Sequence, residues 1–291
     1  MKILVTGALG KVGAATVAAA QRAGHDVTAS DLAPPSYGPT DPDAAPYLRA
    51  DLTDAGQALD LVGRVRPDVV VHTAGIPEPF QDTEIAVFDT NVPALFHVIE
   101  AVRTVGVRRL VAMSSETAPG YMTGDPVLLP DYLPVDEDHP LRPREAYALS
   151  KVLGEHMLDS LVRRSDNAVP VTAVSIRPSL VTTGEMYSGF IERLREAGAE
   201  PSFNQWTFVD ADDLGELCLL AATGDTAGHE VVYAAQPDNV VGEPLADLVA
   251  KAYGDDAPPV RELERPDAGA ISVAKARRLF GWEPRTGLAA R

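Results

Sequence analysis

The sequence predicts an α/β fold, a doubly wound parallel sheet with a small C-terminal cap. Three observations lead there. Strand-like and helix-like segments alternate through the first half of the 291 residues, as βαβ units require. The strand candidates are apolar runs without polar alternation, the pattern of strands buried on both faces. A glycine-rich turn follows the first strand and opens the first helix.

The elements follow in order. Lys2–Thr6 is a short β-branched run closed by Gly7, and Lys11–Ala23 is an alanine-rich helix ended by Gly24. Asp26–Ser30 reads as the second strand and Tyr47–Ala50 as a weak third. Asp54–Val65 reads as a helix and Asp68–His72 as an apolar strand. Phe88–Val105 reads as a helix that tolerates a proline near its start. Arg108–Met113 is the next strand, Tyr147–Arg164 a long helix and Val171–Ile176 a further strand. Beyond Ile176 the rhythm weakens. Gly189–Ala197, Asp212–Ala222, Pro244–Tyr253 and Ser272–Phe280 read as helices, Trp206–Val209 and Glu230–Ala234 as strands. Residues 1–178 are expected to form the main domain, with 205–235 returning to it; 179–291 are mainly the cap. Two proline-rich loops, Pro34–Pro46 and Pro119–Pro143, interrupt the pattern. Loops this long in a compact domain are usually functional or mobile.

Composition narrows the function. With 25 Lys and Arg against 42 Asp and Glu, the formal net charge is −17. Such a surface repels nucleic-acid phosphates and anionic lipid, so neither is expected as a general partner. The single cysteine, Cys218, excludes an intrachain disulfide framework and reads as core. No apolar stretch approaches the ~20 residues of a membrane span. The N-terminal apolar run breaks at Gly7, which makes it a strand and not a signal peptide. A cytoplasmic protein is expected. No two of the six histidines have metal-ligand spacing beside a carboxylate in one element, so no metal site is read. Asp136-Glu137-Asp138 reads as a solvated charge run.

The turn reads Thr6-Gly7-Ala8-Leu9-Gly10-Lys11-Val12-Gly13. Gly7 allows a tight turn off the strand, Gly10 lets backbone amides approach a pyrophosphate, and Gly13 lets the helix pack closely on the sheet. The phosphates then meet the positive end of the helix. Asp31 ends the second strand, 18 residues beyond Gly13. A carboxylate there accepts from both ribose hydroxyls of an adenosine and repels a 2′-phosphate, which favours NAD over NADP. Asp51-Leu52 closes the third strand. Asp51 reads equally as an acceptor near adenine or as the cap of the following helix.

Tyr147-Ala-Leu-Ser-Lys151 opens the long helix, and i, i+4 spacing puts phenol and ammonium on one face. A free phenol, with a pKa near ~10, is a poor base at neutral pH. A nearby cation stabilises the phenolate, so Tyr147 can exchange a proton with a substrate hydroxyl. Lys151 can also hold the nicotinamide ribose. Ser114-Ser115 end a central strand at the carboxyl edge of the sheet, where ligands bind.

These motifs resemble the extended class of the short-chain dehydrogenase/reductase superfamily, the NAD-dependent epimerases and dehydratases, which carry the Rossmann fold. The resemblance covers nearly the whole chain. It adds His72-Thr73-Ala74-Gly75, Asn91, Ile176-Arg177-Pro178, Phe208-Val209-Asp210-x-x-Asp213-Leu214 and a closing Ala276-Arg277-Arg278-Leu279-Phe280-Gly281-Trp282-Glu283-Pro284. It implies a cofactor site of Gly7, Leu9, Gly10, Lys11, Val12, Gly13, Asp31, Asp51, Leu52, Thr73, Ala74, Gly75, Asn91, Tyr147, Lys151 and Pro178. It implies Tyr147 as acid/base with Lys151 as partner. In the family the catalytic serine or threonine stands four residues before a Tyr-Gly pair. Pro119-Gly120 replaces that pair here, which puts Ser115, not Ser114, in the role. The resemblance also implies a homodimer through the helices of Asn91 and Tyr147.

Departures from the family bear on the substrate. Nucleotide-sugar members follow the sixth strand with an asparagine, and Pro178-Ser179 stand here. They carry an arginine before the Val-Asp-x-x-Asp segment, where this chain has Asn204-Gln205-Trp206-Thr207. The layout is similar to the smaller members that oxidise free sugar acids or other small alcohols. Candidate substrate contacts are Ser115, Glu116, Tyr147, Glu185, Tyr187 and Trp206. Arg177 is a further candidate, or a structural arginine beneath the cap. The first expectation is a dehydrogenase acting on a small sugar-like or alcohol substrate. The alternative is an epimerase or dehydratase that recycles its cofactor, and a non-catalytic cofactor sensor ranks below both.

Overall fold

A five-residue run, Lys2–Thr6, forms β1 and is buried from Ile3 onward. The computed structural model describes residues 1–34, 44–121, 128–164, 170–201 and 204–284. Most of the first proline-rich loop, and Pro126 of the second, therefore lie outside the described residues.

After β1 come α1 (Lys11–Arg22), β2 (Asp26–Asp31), β3 (Tyr47–Arg49), α2 (Ala55–Val65), β4 (Val69–His72), α3 (Glu84–Val105) and β5 (Arg109–Met113). The second half holds α4 (Ala146–Arg164), β6 (Thr172–Pro178), β7 (Val181–Thr182), α5 (Gly184–Ala197), β8 (Val209–Asp210), α6 (Ala211–Thr223), β9 (His229–Ala234), α7 (Leu245–Tyr253) and α8 (Ala274–Phe280). Seven strands pair in the order β3-β2-β1-β4-β5-β6-β9, every pair parallel. β7 and β8 form a separate two-residue parallel ladder.

The period of two sorts the core. Ile3, Val5, Val69 and Val71 face one layer with Leu214 and Leu217 of α6. Leu4 and Val70 face the other, against residues of α2, α3 and α4 such as Leu61, Val98 and Leu158. Burial on both faces explains the unbroken apolar strands. α1 and α6 touch closely, because a Cβ on Gly215 would lie 2.6 Å from the carbonyl carbon of Ala15. The strand order reverses between β1 and β4, where Thr6 stands opposite His72. The crevice at their carboxyl ends is the expected ligand position.

Several expectations need correction. Trp206–Val209 is not one strand. Gln205 and Trp206 have φ of 54° and 58°, left-handed values that no strand accepts, and only Val209–Asp210 pairs. α3 begins at Glu84, four residues before Phe88, because Thr83 caps it: its hydroxyl accepts from the Ala86 amide at 3.3 Å. α5 begins at Gly184 instead of Gly189. α2 is capped by Asp54, which accepts from the Gln57 amide, and not by Asp51. Glu137 is not solvated: its carboxylate accepts from the Tyr233 amide of β9 at 2.9 Å.

α3 also meets the length and hydropathy of a membrane span, with a mean of 1.4 over 18 residues, against the expectation that no stretch does. Its place explains the composition. It packs between α2 and α4, and its Leu95, Val98, Ile99 and Val102 are buried in the layer beneath.

Candidate active site

The glycine-rich turn is shaped by contacts that exclude side chains. Gly7 has φ +71°, and a Cβ there would sit 2.5 Å from the Ala74 amide nitrogen. A Cβ on Gly13 would sit 2.1 Å from the Gly7 carbonyl oxygen. This holds the first turn of α1 against the β1 loop and brings Thr73-Ala74-Gly75 alongside. Gly10 caps α1 with no side-chain hydrogen bond, and the first turn carries no acidic residue. Its amides and the positive helix end therefore face outward, a cradle suited to a pyrophosphate. Leu9 and Lys11 are exposed beside it, and Val12 packs partly into the core. Thr73 Oγ1 donates to the Thr6 carbonyl at 2.8 Å, which ties β4 to the turn.

Asp31 stands at the carboxyl end of β2. One carboxylate oxygen accepts from the Leu9 amide at 3.0 Å and the other from the Leu32 amide at 2.7 Å. Asp51 accepts from the Thr53 amide and hydroxyl at 2.9 and 2.6 Å, a local turn. Leu52 is buried, and its carbonyl meets the His97 ring of α3. One residue here was missed by sequence reading. Arg49 of β3 is in register with Asp31 and donates Nε to the Leu32 carbonyl at 2.7 Å. Its signal was the parity of the three-residue strand Tyr47–Arg49.

Asn91 of α3 is a positioning residue for the loop after β4. Its side chain accepts from the Ile76 amide at 2.8 Å and donates to the Ile76 carbonyl at 3.1 Å. It also reaches Ser150 of α4 at 3.4 Å. A Cβ on Gly75 would strike Asn91 at 2.8 Å, so the glycine is required where the loop passes. Pro178 ends β6, and its carbonyl accepts from the Glu116 amide.

The helix of Tyr147 is capped by Glu145, whose carboxylate accepts from the amides of Tyr147 and Ala148 at 2.5 and 2.8 Å. Tyr147, Lys151 and Ser115 converge at the carboxyl end of β5. Ser115 accepts from the amide and hydroxyl of Thr117. Ser114 points elsewhere, donating to Glu155 at 2.6 Å. Burial pushes the Tyr147 phenol well above its usual pKa, and a hydrogen bond with Ser115 opposes that rise. Lys151 shares the face of Tyr147, as the i, i+4 spacing predicts. Its ammonium lies over the ring face, 5.1 Å from the centroid, and donates to the Met113 carbonyl at 3.2 Å. Burial pulls its pKa down to about 8. Beneath Lys151 a cavity of 20 Å³ is lined by His72, Asn91, Ser114, Ser150 and Glu155. It has room for about one water molecule and none for a substrate.

The expected substrate contacts divide. Glu116 is buried beside Ser115, and its carboxyl accepts from the Ser179 hydroxyl at 2.9 Å. Trp206 is a correction: it is 1% exposed, its ring leans on Tyr253, and Nε1 donates to the Glu200 carbonyl at 3.2 Å. A large apolar ring with its one donor satisfied anchors the cap core. Arg177 is structural, with both forks on Glu155. Glu185 and Tyr187 lie on α5 with side chains outside the described set.

A family model described as the NAD dependent epimerase/dehydratase family matches residues 3–234. The UDP-glucose 4-epimerase of Mycolicibacterium smegmatis is 27% identical over 309 residues, 99% of this chain and 95% of its own length. The uronate dehydrogenase of Pseudomonas syringae pv. tomato is 27% identical over 244 residues, 82% of this chain and 76% of its own. A crystal structure of a UDP-galactose 4-epimerase superposes with a TM-score of 0.69 at 26% identity, covering 100% of this chain and 95% of that one.

Proposed function

The chain belongs to the NAD-dependent epimerase/dehydratase family, and from that premise we propose that it is an NAD-dependent oxidoreductase of a hydroxyl or carbonyl on a small sugar-like or alcohol substrate. The convergence of Ser115, Tyr147 and Lys151 beside the glycine cradle carries this reading. The residues fit NAD. The open amides of α1 suit its pyrophosphate, and Asp31 suits the adenosine ribose. The contacts of Gly7 and Gly13 leave the backbone bare where the phosphates would pass.

Bound NAD supplies the hydride acceptor. Ser115 holds the substrate oxygen within reach of the Tyr147 phenol. Tyr147 takes the hydroxyl proton during oxidation and returns one during reduction. The Ser115 hydrogen bond favours the charged phenolate against burial. Lys151 holds the nicotinamide ribose and keeps positive charge against the phenol ring. Asn91 fixes the loop after β4, which positions the middle of the cofactor site.

A second reading, an epimerase or dehydratase, shares the first step and is supported by the epimerase relatives. Residues 179–291 serve mainly as a cap, with 205–235 returning through α6 and β9 to the sheet domain. A homodimer through α3 and α4 is supported by the exposed Ile85, Phe96 and Leu149 on those helices. A cytoplasmic location is consistent with a lone, buried Cys218.

The test is direct. The purified protein is denatured and the supernatant assayed for NAD. Near-stoichiometric release favours the epimerase or dehydratase; empty protein that binds added NAD favours the dehydrogenase. Tyr147→Phe then abolishes conversion while NAD binding persists. Equal conversion by that variant removes the mechanism.

A further inference from the structure

We propose that Ser175, His229 and Asp159 form a proton route that joins the cavity beneath Lys151 to solvent at the edge of the sheet. The three residues stand on β6, β9 and α4, and their hydrogen bonds form one line. The His229 ring meets Asp159 through Nδ1 at 2.7 Å and Ser175 through Nε2 at 2.9 Å. A carboxylate only accepts, so Nδ1 carries the hydrogen, and in the neutral ring Nε2 accepts from the Ser175 hydroxyl. The His229 side chain is 4% exposed and that of Asp159 is 41% exposed, so the line runs from the interior to water. β9 is an edge strand of the seven-stranded sheet, which puts the outer end at its border.

The inner end opens on the cavity. Ala173 packs in the α4 layer while Val174 and Ile176 face the other way. Strand parity therefore turns Ser175 toward α4, where it lines the cavity together with Lys151. Three serines border this space, and each hydroxyl hydrogen is already given away: Ser114 to Glu155 at 2.6 Å, Ser150 to the Tyr147 carbonyl at 2.7 Å, and Ser175 to His229. Their oxygens are left as acceptors. A water among them accepts from the Lys151 ammonium and donates to a serine. One of the three serines leads outward. Glu155 is locked to Arg177 by two hydrogen bonds, and a helix carbonyl takes no proton. His72 also borders the cavity, but burial pulls its pKa down to about 3, so it stays neutral. Imidazole is the side chain that passes protons near neutral pH, and His229 holds that place on the way out.

The use of the route rests on the oxidoreductase reading. Oxidation of a hydroxyl leaves one proton on the Tyr147–Lys151 pair in each turnover, whereas epimerisation returns it to the same molecule. The ammonium gives a proton to the water, the water gives one to the Ser175 oxygen, and Ser175 gives its own to Nε2. The Nδ1 proton leaves past Asp159, and rotation of the hydroxyl and the ring restores the starting order. At each step one N–H or O–H bond breaks and one forms, with no electron transferred. Burial lowers the Lys151 ammonium to about 8, which eases the first step.

Two measurements test the route, and the first needs no substrate. In protein saturated with NADH and isotope-labelled at lysine, NMR reads how fast the Lys151 ammonium hydrogens exchange with water. His229→Gln keeps a hydrogen-bonding side chain but no titrating ring, and Ser175→Ala removes the middle link by deleting one atom. Each is expected to slow the exchange by at least about tenfold. A merely structural role gives the opposite sign, because a loosened fold exchanges faster. Unchanged or faster exchange overturns the inference, and Ser175→Ala decides where His229→Gln does not fold. The second measurement mixes the protein with NAD and glucose, galactose, glucuronate or galacturonate in weak buffer containing a pH-indicator dye. In the native protein the NADH and proton signals rise together. In His229→Gln the proton signal is expected to lag by at least about tenfold; signals that stay together overturn the inference. Reduction of NAD by none of the four counts against the functional reading, while the exchange rates still decide whether the route exists.

Discussion

Arg177 and Glu155 form a two-pronged ion pair inside the protein, Nε to Oε1 at 2.8 Å and Nη2 to Oε2 at 2.7 Å, with both side chains under a tenth exposed. The pair joins β6 to α4, the helix that carries Tyr147. Ser114 adds a third hydrogen bond to the same carboxylate. Arg177 also lies over the Tyr233 ring of β9. The sequence left Arg177 open as a substrate contact; this geometry makes it a strut.

Breaking the pair leaves a buried guanidinium uncompensated. Glu155→Ala is expected to lower the unfolding free energy by about 3–5 kcal/mol. Urea unfolding monitored by far-UV circular dichroism measures it. A loss below about 1 kcal/mol, the scale of a surface pair, would show that Arg177 finds water or another acceptor.

The main sheet was legible in the sequence because its strands are buried on both faces, and continuous apolar runs such as Val69–Val71 have few other readings. The glycine turn was legible because each glycine answers a backbone contact. Of the two adjacent serines, Ser115 sits by Tyr147 while Ser114 turns away to Glu155. What failed was local and polar. Trp206–Val209 looked like a strand because its residues favour strands, yet Asn204 closes a turn there, its amide donating to the Thr207 carbonyl. Tertiary packing of Trp206 against Tyr253 overrode the propensity. Asp51 and Asp54 are equally good caps by composition, and only the placement of Gln57 chooses between them.

Asp31 should set the choice of cofactor. Asp31→Ser removes the carboxylate that would meet the ribose hydroxyls and repel a 2′-phosphate. It also leaves Arg49, its registered partner on β3, beside the adenosine end. NADH affinity is expected to fall roughly tenfold, as for the loss of a charged hydrogen bond, and NADPH affinity to rise. Fluorescence titration with both nucleotides reads the ratio. An unchanged preference would remove Asp31 from the site.

Two glycines should respond oppositely to alanine. In a helix interior alanine is favoured over glycine by about 1 kcal/mol. Gly63 on α2 has nothing within 4 Å of its missing Cβ, so Gly63→Ala is expected to stabilise. Gly13 on α1 has the Gly7 carbonyl oxygen at 2.1 Å. There overpacking should dominate, costing about 1–3 kcal/mol, and NAD binding should fall with it. Thermal melts and a nucleotide titration separate the two effects. Stabilisation of the Gly13 variant with binding intact would mean the turn is looser than these contacts require.

Glu116 should leave a signature in stability against pH. Its carboxyl is raised from 4.5 to about 8, because burial outweighs the hydrogen bonds from Ser179 and the Leu180 backbone. A group raised on folding binds its proton more tightly in the folded state. Its contribution is therefore fully present below pH 4.5 and is lost as pH rises through about 8. Glu116→Gln keeps the shape without the titration, so its stability relative to the native protein should improve between pH 5 and 8.5, by on the order of a few kcal/mol. Lys151 has the opposite sign: its lowered value makes its contribution rise as pH climbs from about 8 towards 10.5. That term belongs to both proteins and largely cancels in their difference, so the difference isolates Glu116. Urea titrations of the pair at both pH values provide the measurement. A difference that stays flat would mean the Glu116 carboxyl is solvated or paired with a cation.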